Sequence, residues 1–205
     1  FLYTAPRERD EVLRLLAEYG DEAKILAGGQ TLGPMLNLRV VSPSVLIDVN
    51  HLPCASQDDD VTGLTIDALT RQSTLEDDSR LRTHQPLIAA AIPHIAHRPI
   101  RNRGTVGGSL VHADPAAEWG ALALALDAQM LIAHQIEGTR TVHAQDFFNG
   151  MLETAVQAEE FLVAVRLPHW PAGTGASFRE LARRHGDFAL AGVACKISVD
   201  DGGIC

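Results

Sequence analysis

The spacing of apolar residues predicts an α+β chain. Three observations carry that expectation: an amphipathic helical stretch near the start, a series of short strand-like runs, and two double-glycine segments between them. In residues 7–19, Val12, Leu13, Leu15, Leu16 and Tyr19 recur at helical spacing, and Gly20 stands where a helix would end. Residues 23–27 read as a short buried strand running straight into Gly28 and Gly29. Residues 45–49 form a second strand after Pro43, and residues 63–69 a third with alternating apolar positions. Between them, Asp58, Asp59 and Asp60 read as a solvated loop. Ser73 or Thr74 is expected to cap a short helix that carries Glu76 and Asp77 in its first turn, where carboxylates favour the helix dipole.

Residues 86–97 have helical composition, and Pro93 should divide them. Residues 98–103 are basic and irregular and lead into Gly104-Thr105-Val106-Gly107-Gly108-Ser109. A further helix is expected over 115–126, capped by Asp114 and with Glu118 in its early turns. Residues 129–133, 139–143 and 161–167 read as strands, and the Pro/Gly-bearing stretch 169–175 as a subdomain boundary. A last strand over 191–199 runs into Asp200-Asp201-Gly202-Gly203, a hairpin turn by composition. Its return strand is missing and the chain opens on Phe1, so a longer polypeptide is expected.

The 205 residues suffice for one large domain or two small ones. A net charge of -9 makes nucleic acid a poor partner, since an acidic surface repels phosphate backbones. Cys54, Cys195 and Cys205 are far apart and lack the spacing of a disulfide, zinc or iron–sulfur framework, which suggests a reducing, cytoplasmic setting. The longest apolar run, beginning at Gly120, is too short to cross a bilayer, so no membrane insertion is expected. His94 and His97 have no third ligand at metal spacing, so packing roles are preferred and no metal is expected.

Chemistry is concentrated in the two double-glycine segments, Ala27-Gly28-Gly29-Gln30-Thr31 and Thr105-Val106-Gly107-Gly108-Ser109. Glycines remove side chains and permit positive φ, so backbone N–H groups can converge on an anion. The hydroxyls of Thr31 and Ser109 and the amide of Gln30 add donors, and two such segments suit a diphosphate better than a single phosphate. Neither a G-x-G-x-x-G fingerprint nor a P-loop is present, which excludes the usual Rossmann and Walker sites. No paired carboxylates or nucleophile elbow mark a general acid, general base or nucleophile, so no catalytic residue is proposed.

At these segments the sequence resembles the FAD-binding medium subunits of the molybdenum hydroxylases, the xanthine dehydrogenase and carbon monoxide dehydrogenase family. Ile25-Leu26-Ala27-Gly28-Gly29-Gln30-Thr31-Leu32 is similar to the family's first pyrophosphate motif, and Arg101-Asn102-Arg103 with residues 104–109, then Asp114-Pro115, to its second. The resemblance covers nearly the whole chain in order. It implies a two-lobed, PCMH-type (vanillyl-alcohol-oxidase) FAD-binding domain over 1–168, with a small lobe of about 1–52 and a larger one of about 53–168. Residues 169–205 would begin a truncated C-terminal α/β domain.

The resemblance also implies that Ile25, Leu26, Ala27, Gly28, Gly29, Gln30, Thr31 and Leu32, with Gly104, Thr105, Val106, Gly107, Gly108 and Ser109, line the cofactor's diphosphate. Glu118 stands where the family usually has Asp and would hydrogen-bond the nucleotide; Leu162 would pack on the cofactor and Phe188 lie over the flavin ring. As residues alone, Leu162 and Phe188 read equally as core. Ser109 replaces the commoner Asn or Asp, and Phe188 lacks the hydroxyl of the commoner Tyr. The implied function is electron transfer: electrons from a large molybdopterin subunit pass through [2Fe–2S] clusters of a small subunit to FAD and on to NAD or another acceptor. A self-contained FAD oxidase or dehydrogenase, and an assembly subunit that has lost FAD, are the alternatives.

Overall fold

The computed structural model describes residues 1–55, 58–60, 63–199 and 202–203. Near the N-terminus, β1 (Leu2–Thr4), α1 (Arg9–Tyr19), β2 (Ala23–Leu26) and β3 (Val45–Asp48) form a parallel three-stranded sheet, order β1-β3-β2, with one amphipathic helix. Val12, Leu13, Leu15 and Leu16 of α1 pack on Ala23, Val45, Ile47 and Val49, as the helical spacing predicts. Gly20 ends the helix at φ 49°, and its N–H donates to the carbonyl of Leu16.

A second, antiparallel sheet runs β4-β5-β10-β6-β7, from β4 (Asp58–Asp60), β5 (Gly63–Asp67), β6 (Gln129–His134), β7 (Gly138–His143) and β10 (Glu160–Leu167). The central strand β10 serves two cores. Leu162, Val165 and Leu167 face the larger core, whereas Phe161 and Val163 pack with α1 and the small sheet. Strict alternation would put residues 161, 163, 165 and 167 on one face. A register shift between Leu162 and Ala164 breaks that alternation and lets one strand carry both lobes.

Among the described residues, seven helices supply the larger lobe: α3 (Gln72–Asp77), α4 (Leu81–His84), α5 (Pro86–Ala91), α6 (Arg98–Arg101), α7 (Val106–His112), α8 (Glu118–Ala125) and α9 (Ala144–Phe147). Their apolar residues, with Trp119 and Phe147 the largest, bury one face of the antiparallel sheet. As expected, the 86–97 stretch breaks before Pro93: α5 ends at Ala91 and a single 3-10 turn follows over Ile92–His94. The small ribbon of β8 (Phe148–Gly150) and β9 (Glu153–Thr154) precedes β10.

Beyond β10, β11 (Thr174–Ala182) and β12 (Ala189–Ser198) pair as a separate antiparallel hairpin that packs on α5 and α8. Coil over 168–173 separates β10 from β11, and the Pro/Gly-bearing stretch 169–175 runs two residues into β11. β11 itself has no amphipathic signature. Phe178 is buried against His94, while Leu181, on the opposite face of the strand, is exposed.

Several expectations are corrected. The acidic run 58–60 is not a loop but β4, paired with β5. Glu76 and Asp77 close α3 instead of opening it, and the cap position belongs to Arg71, not to Ser73 or Thr74. The basic stretch 98–103 is not irregular; it contains α6, because Glu76 draws Arg101 into the interior (below). The helix expected from Pro115 starts at Glu118: Asp114 Oδ1 accepts from the amide of Ala116 in a turn that precedes it, and Ala117 holds the cap position. Asp200 and Asp201 of the expected turn lie outside the described residues. Among the described residues no helix is long and apolar enough to cross a membrane, and no cluster of ligating side chains could hold a metal ion. Cys54 and Cys195 are free thiols.

Candidate functional site

The first glycine segment leaves the end of β2 and enters α2 (Leu32–Asn37). Only Gly29 uses a left-handed conformation, at φ 69°. Among the described residues, the amides of Gly29, Gln30, Thr31 and Leu32 donate to no protein acceptor, and the Thr31 hydroxyl is exposed and unpaired. The Gln30 side chain is spent inside the loop, where Nε2 donates to the Gly28 carbonyl at 3.0 Å. Ile25 and Ala27 lean on the small core below, so the strand fixes the origin of the loop.

The second segment has a different construction, which corrects the expectation of a positive-φ loop. Thr105 caps α7 by accepting from the Gly108 amide at 3.1 Å, and Val106, Gly107, Gly108 and Ser109 are all helical. The amides of Val106 and Gly107 donate to the carbonyls of Thr70 (3.0 Å) and Ala68 (2.8 Å), and that of Ser109 to Thr105. This segment therefore offers no converging free amides. It offers an open Gly108 surface and the half-exposed Ser109, whose hydroxyl has no partner among the described residues.

The two segments touch. A Cβ on Gly28 would lie 2.4 Å from the Arg103 carbonyl oxygen and 2.8 Å from the Gly104 Cα. One on Gly107 would lie 2.6 Å from the Ala68 Cβ, and one on Gly108 4.0 Å from the Ala27 Cβ. Gly28 and Gly107 are thus required by chain against chain, not by a ligand. Gly104 is held equally close by Gln72, whose Oε1 would stand 2.9 Å from an added Cβ.

Two neighbouring basic residues, Arg98 and Arg101, are committed within the protein. Arg101 is buried, with Nε and Nη2 on the Glu76 carboxylate at 2.9 and 2.7 Å and Nη1 on the carbonyls of Ile95 and Ala96. Arg98 spans Asp77 and Glu76. Its hydrogen bonds make Arg101 the main reason that the Glu76 carboxyl lies below the usual carboxylate range, with Arg98 adding to it.

Glu118 opens α8 and is 9% exposed, with no side-chain partner beyond its own amide among the described residues. Burial, then the charges of Glu180 and Asp114, pushes its carboxyl up to about 7. Glu180 Oε2 is buried without a partner. Leu162 is 3% exposed inside the larger core, as a strand residue would be. Phe188 is the opposite: it stands 71% exposed at the turn of the β11–β12 hairpin, with Arg183, Gly186 and Leu190 around a shallow groove. That turn is seated on the larger lobe by His97, whose ring meets His185 edge-on and covers Gly186 so closely that an added Cβ would lie 2.5 Å from it.

A cleft of about 750 Å³ lies beside the junction of the segments and includes Asn50, Cys54, Thr70, Arg71, Asp77, Asp78, Arg80 and Thr105. Sequence reasoning singled out only Thr105 among these as a site residue. Asn50 and Arg71 carry no motif signal, because their importance arises from contacts between segments distant in sequence.

Residues 1–170 match the family described as FAD binding domain in molybdopterin dehydrogenase. The chain belongs to that family. It is 41% identical over 207 residues to the 6-hydroxypseudooxynicotine dehydrogenase complex subunit alpha of Paenarthrobacter nicotinovorans, covering all of this chain and 69% of that protein. It is 37% identical over 204 residues to the caffeine dehydrogenase subunit beta of a Pseudomonas species, covering 98% and 68%. The carbon monoxide dehydrogenase structure from Hydrogenophaga pseudoflava superposes with a TM-score of 0.94 at 37% identity, covering 98% of this chain and 70% of that one. Quinoline 2-oxidoreductase from Pseudomonas putida 86 superposes with a TM-score of 0.91 at 39% identity, covering the same shares. The family and the α+β FAD-binding fold are therefore those expected from the sequence. The chain is a flavoprotein component of an oxidoreductase.

The residues present fit FAD. The free amides over 29–32, the Thr31 hydroxyl and the Ser109 hydroxyl lie on the two sides of one junction and are donors suited to a diphosphate. The Glu118 carboxyl, bonded among the described residues only to its own amide, is a further buried polar group at the start of α8.

Proposed function

We propose that this chain is the electron-transfer subunit of a molybdenum hydroxylase-type dehydrogenase, holding FAD across the junction of its two glycine segments. The observation that carries this function is the contrast in hydrogen bonding at the junction: consecutive unpaired amides at Gly29, Gln30, Thr31 and Leu32 abut a segment whose own amides are satisfied. Bound flavin would supply the redox chemistry, accepting electrons and passing them on.

The protein's part is to bind and orient. Gly29 turns the chain so that the amides after it face outward, and Thr31 and Ser109 donate from either side. Gly28 permits the close approach of the segments, Gly107 that of α7 to Ala68, and Gly108 leaves an open surface beside Ala27. Glu118, raised to about 7 and so divided between its two protonation states at neutral pH, can donate a hydrogen bond to the nucleotide or accept one. Phe188 supplies an exposed aromatic face for the flavin ring, on a turn that His97 holds in place. Leu162 supports the site from within the core.

In this function the domain boundary falls near Pro168, with the β11–β12 hairpin beginning a further unit. Relatives are named as subunits of dehydrogenase complexes, which supports partners that carry the molybdopterin and [2Fe–2S] centres. The terminal acceptor, NAD or another carrier, would be met in that complex, in the cytoplasm. The test is an absorbance titration of the purified chain with FAD. Shifted flavin bands that weaken in a Thr31→Val/Ser109→Ala double variant of unchanged thermal stability would support the site. Absence of any flavin binding, by this chain and by the assembled complex alike, would remove the electron-transfer role.

A further inference from the structure

We infer that Arg71 is a positioning residue that sets the two glycine segments against each other, acting through Asn50 on one and through its own backbone on the other. The inference rests on the FAD-binding function proposed above and goes beyond it, since neither residue belongs to a glycine motif.

Residues 70–72 run antiparallel to 104–106. The Gln72 amide donates to the Gly104 carbonyl and the Val106 amide to the Thr70 carbonyl, both at 3.0 Å, so that Arg71 forms an isolated bridge with Thr105, the cap of α7. The Arg71 backbone is thus part of the second segment's support. Its side chain reaches the other way. Nη1 donates to the Arg103 carbonyl, the oxygen that Gly28 approaches, and Nη2 donates to Asn50 Oδ1 at 2.5 Å. Asn50 Nδ2 in turn donates to the Ala27 carbonyl at 2.8 Å.

The orientation of Asn50 is fixed from behind. Asp48 Oδ1 accepts from the Asn50 backbone amide (2.9 Å) and from Nδ2 (2.6 Å), and Asp48 Oδ2 accepts from the Tyr3 hydroxyl at 2.7 Å. With a carboxylate and a carbonyl on one side, only Nδ2 can face them, which leaves Oδ1 for the guanidinium. A continuous chain of hydrogen bonds therefore runs from β1 of the small sheet, through Asp48, Asn50 and Arg71, to the residue next to Gly104. Arginine is suited to the junction because one planar fork serves two acceptors in different directions, whereas a lysine ammonium on a flexible stem holds neither direction. Nothing else in the link supplies catalysis; its output is the relative placement of the 29–32 amides and the Ser109 hydroxyl.

The test uses Arg71→Met, Arg71→Lys and Asn50→Ala, each alone, and the Arg71→Met/Asn50→Ala pair. Amide exchange by NMR in the FAD-free protein reads the placement directly, at Gly33 (bonded to Gly29) and Val49 (bonded to Leu26), with α8 amides as the control for global stability. Faster exchange at Gly33 and Val49 with α8 unchanged is expected in Arg71→Met and Asn50→Ala. FAD titration is expected to show about tenfold weaker binding in each, partial recovery in Arg71→Lys, and no further loss in the pair, because both variants cut one link. Unchanged exchange at both amides, or losses in FAD affinity that multiply in the pair, would overturn the inference. Failure of the unsubstituted protein to bind FAD would instead remove the proposed function, and the exchange data would still decide the role of Arg71. If Arg71→Met does not fold, Asn50→Ala and Arg71→Lys answer the same question.

Discussion

The two glycine segments share a dipeptide and little else. In the first, Gly29 takes positive φ and four consecutive amides donate to no protein acceptor among the described residues. In the second, both glycines are helical and the amides from Val106 to Ser109 are satisfied within the fold. Glycine at the first segment presents backbone to a ligand; at the second it lets a helix approach Ala68 and Ala27. The lesson is that a Gly-Gly pair reports close approach, and only the hydrogen-bond inventory says whether the approaching body is a ligand or the protein itself.

The strongest way to break the comparison is to fill the close approaches at one glycine of each segment. Gly28→Ala and Gly107→Val place a carbon within 2.4 and 2.6 Å of neighbouring atoms, a backbone carbonyl oxygen in the first case and the Ala68 Cβ in the second. Both should cost about 3 kcal/mol or more, as overpacking without room to relax does. Chemical denaturation should show the loss in the absence of FAD. These variants therefore report packing, and are poor tests of cofactor binding.

Glu118→Gln is expected next in size. A carboxyl raised in the folded state keeps its proton where the unfolded chain has lost it, so stability falls as pH rises from about 4.5 to about 7. Relative to Glu118→Gln, the unsubstituted protein should lose about 3 kcal/mol across that window and no more above it. Urea melts at pH 4.5, 6 and 8 would measure this. A constant difference across the three would mean that Glu118 is ionised in the fold.

Gly29→Ala should separate the segments more finely. Its φ is left-handed, and the only near neighbour of an added Cβ is the flexible Leu26 Cδ1 at 3.2 Å. A stability loss of about 1–2 kcal/mol is expected, with a larger proportional loss of FAD affinity than in Thr105→Ala. Thr105→Ala removes the cap of α7 and should cost about 1 kcal/mol. Equal effects of the two on FAD would mean that the segments contribute alike, contrary to their hydrogen bonding.

Much of the local structure was legible in the sequence. The period of Val12, Leu13, Leu15 and Leu16 marked α1, and Gly20 marked its end, because one apolar core decides which face of that helix is buried. Strands β2, β3, β5, β6, β7 and β10 were read from their apolar runs to within a few residues. β11 was not, because its outward face carries Leu181 and its inward side Glu180, the reverse of the usual pattern. β4 was missed because three aspartates have no strand propensity, and pairing with β5 overrides that. Arg101 was taken for part of a basic loop, since the carboxylate that buries it, Glu76, lies 25 positions away.

By itself the sequence determined the family, the α+β class and the two motifs, all of which depend on residues close together along the chain. The tertiary structure alone decided which motif has free amides, how β10 divides its side chains between two cores, and that Arg71 and Asn50 join the segments. Those properties depend on hydrogen bonds and van der Waals contacts between distant residues. A backbone N–H has the same identity in the sequence whether it faces solvent or the carbonyl of Ala68.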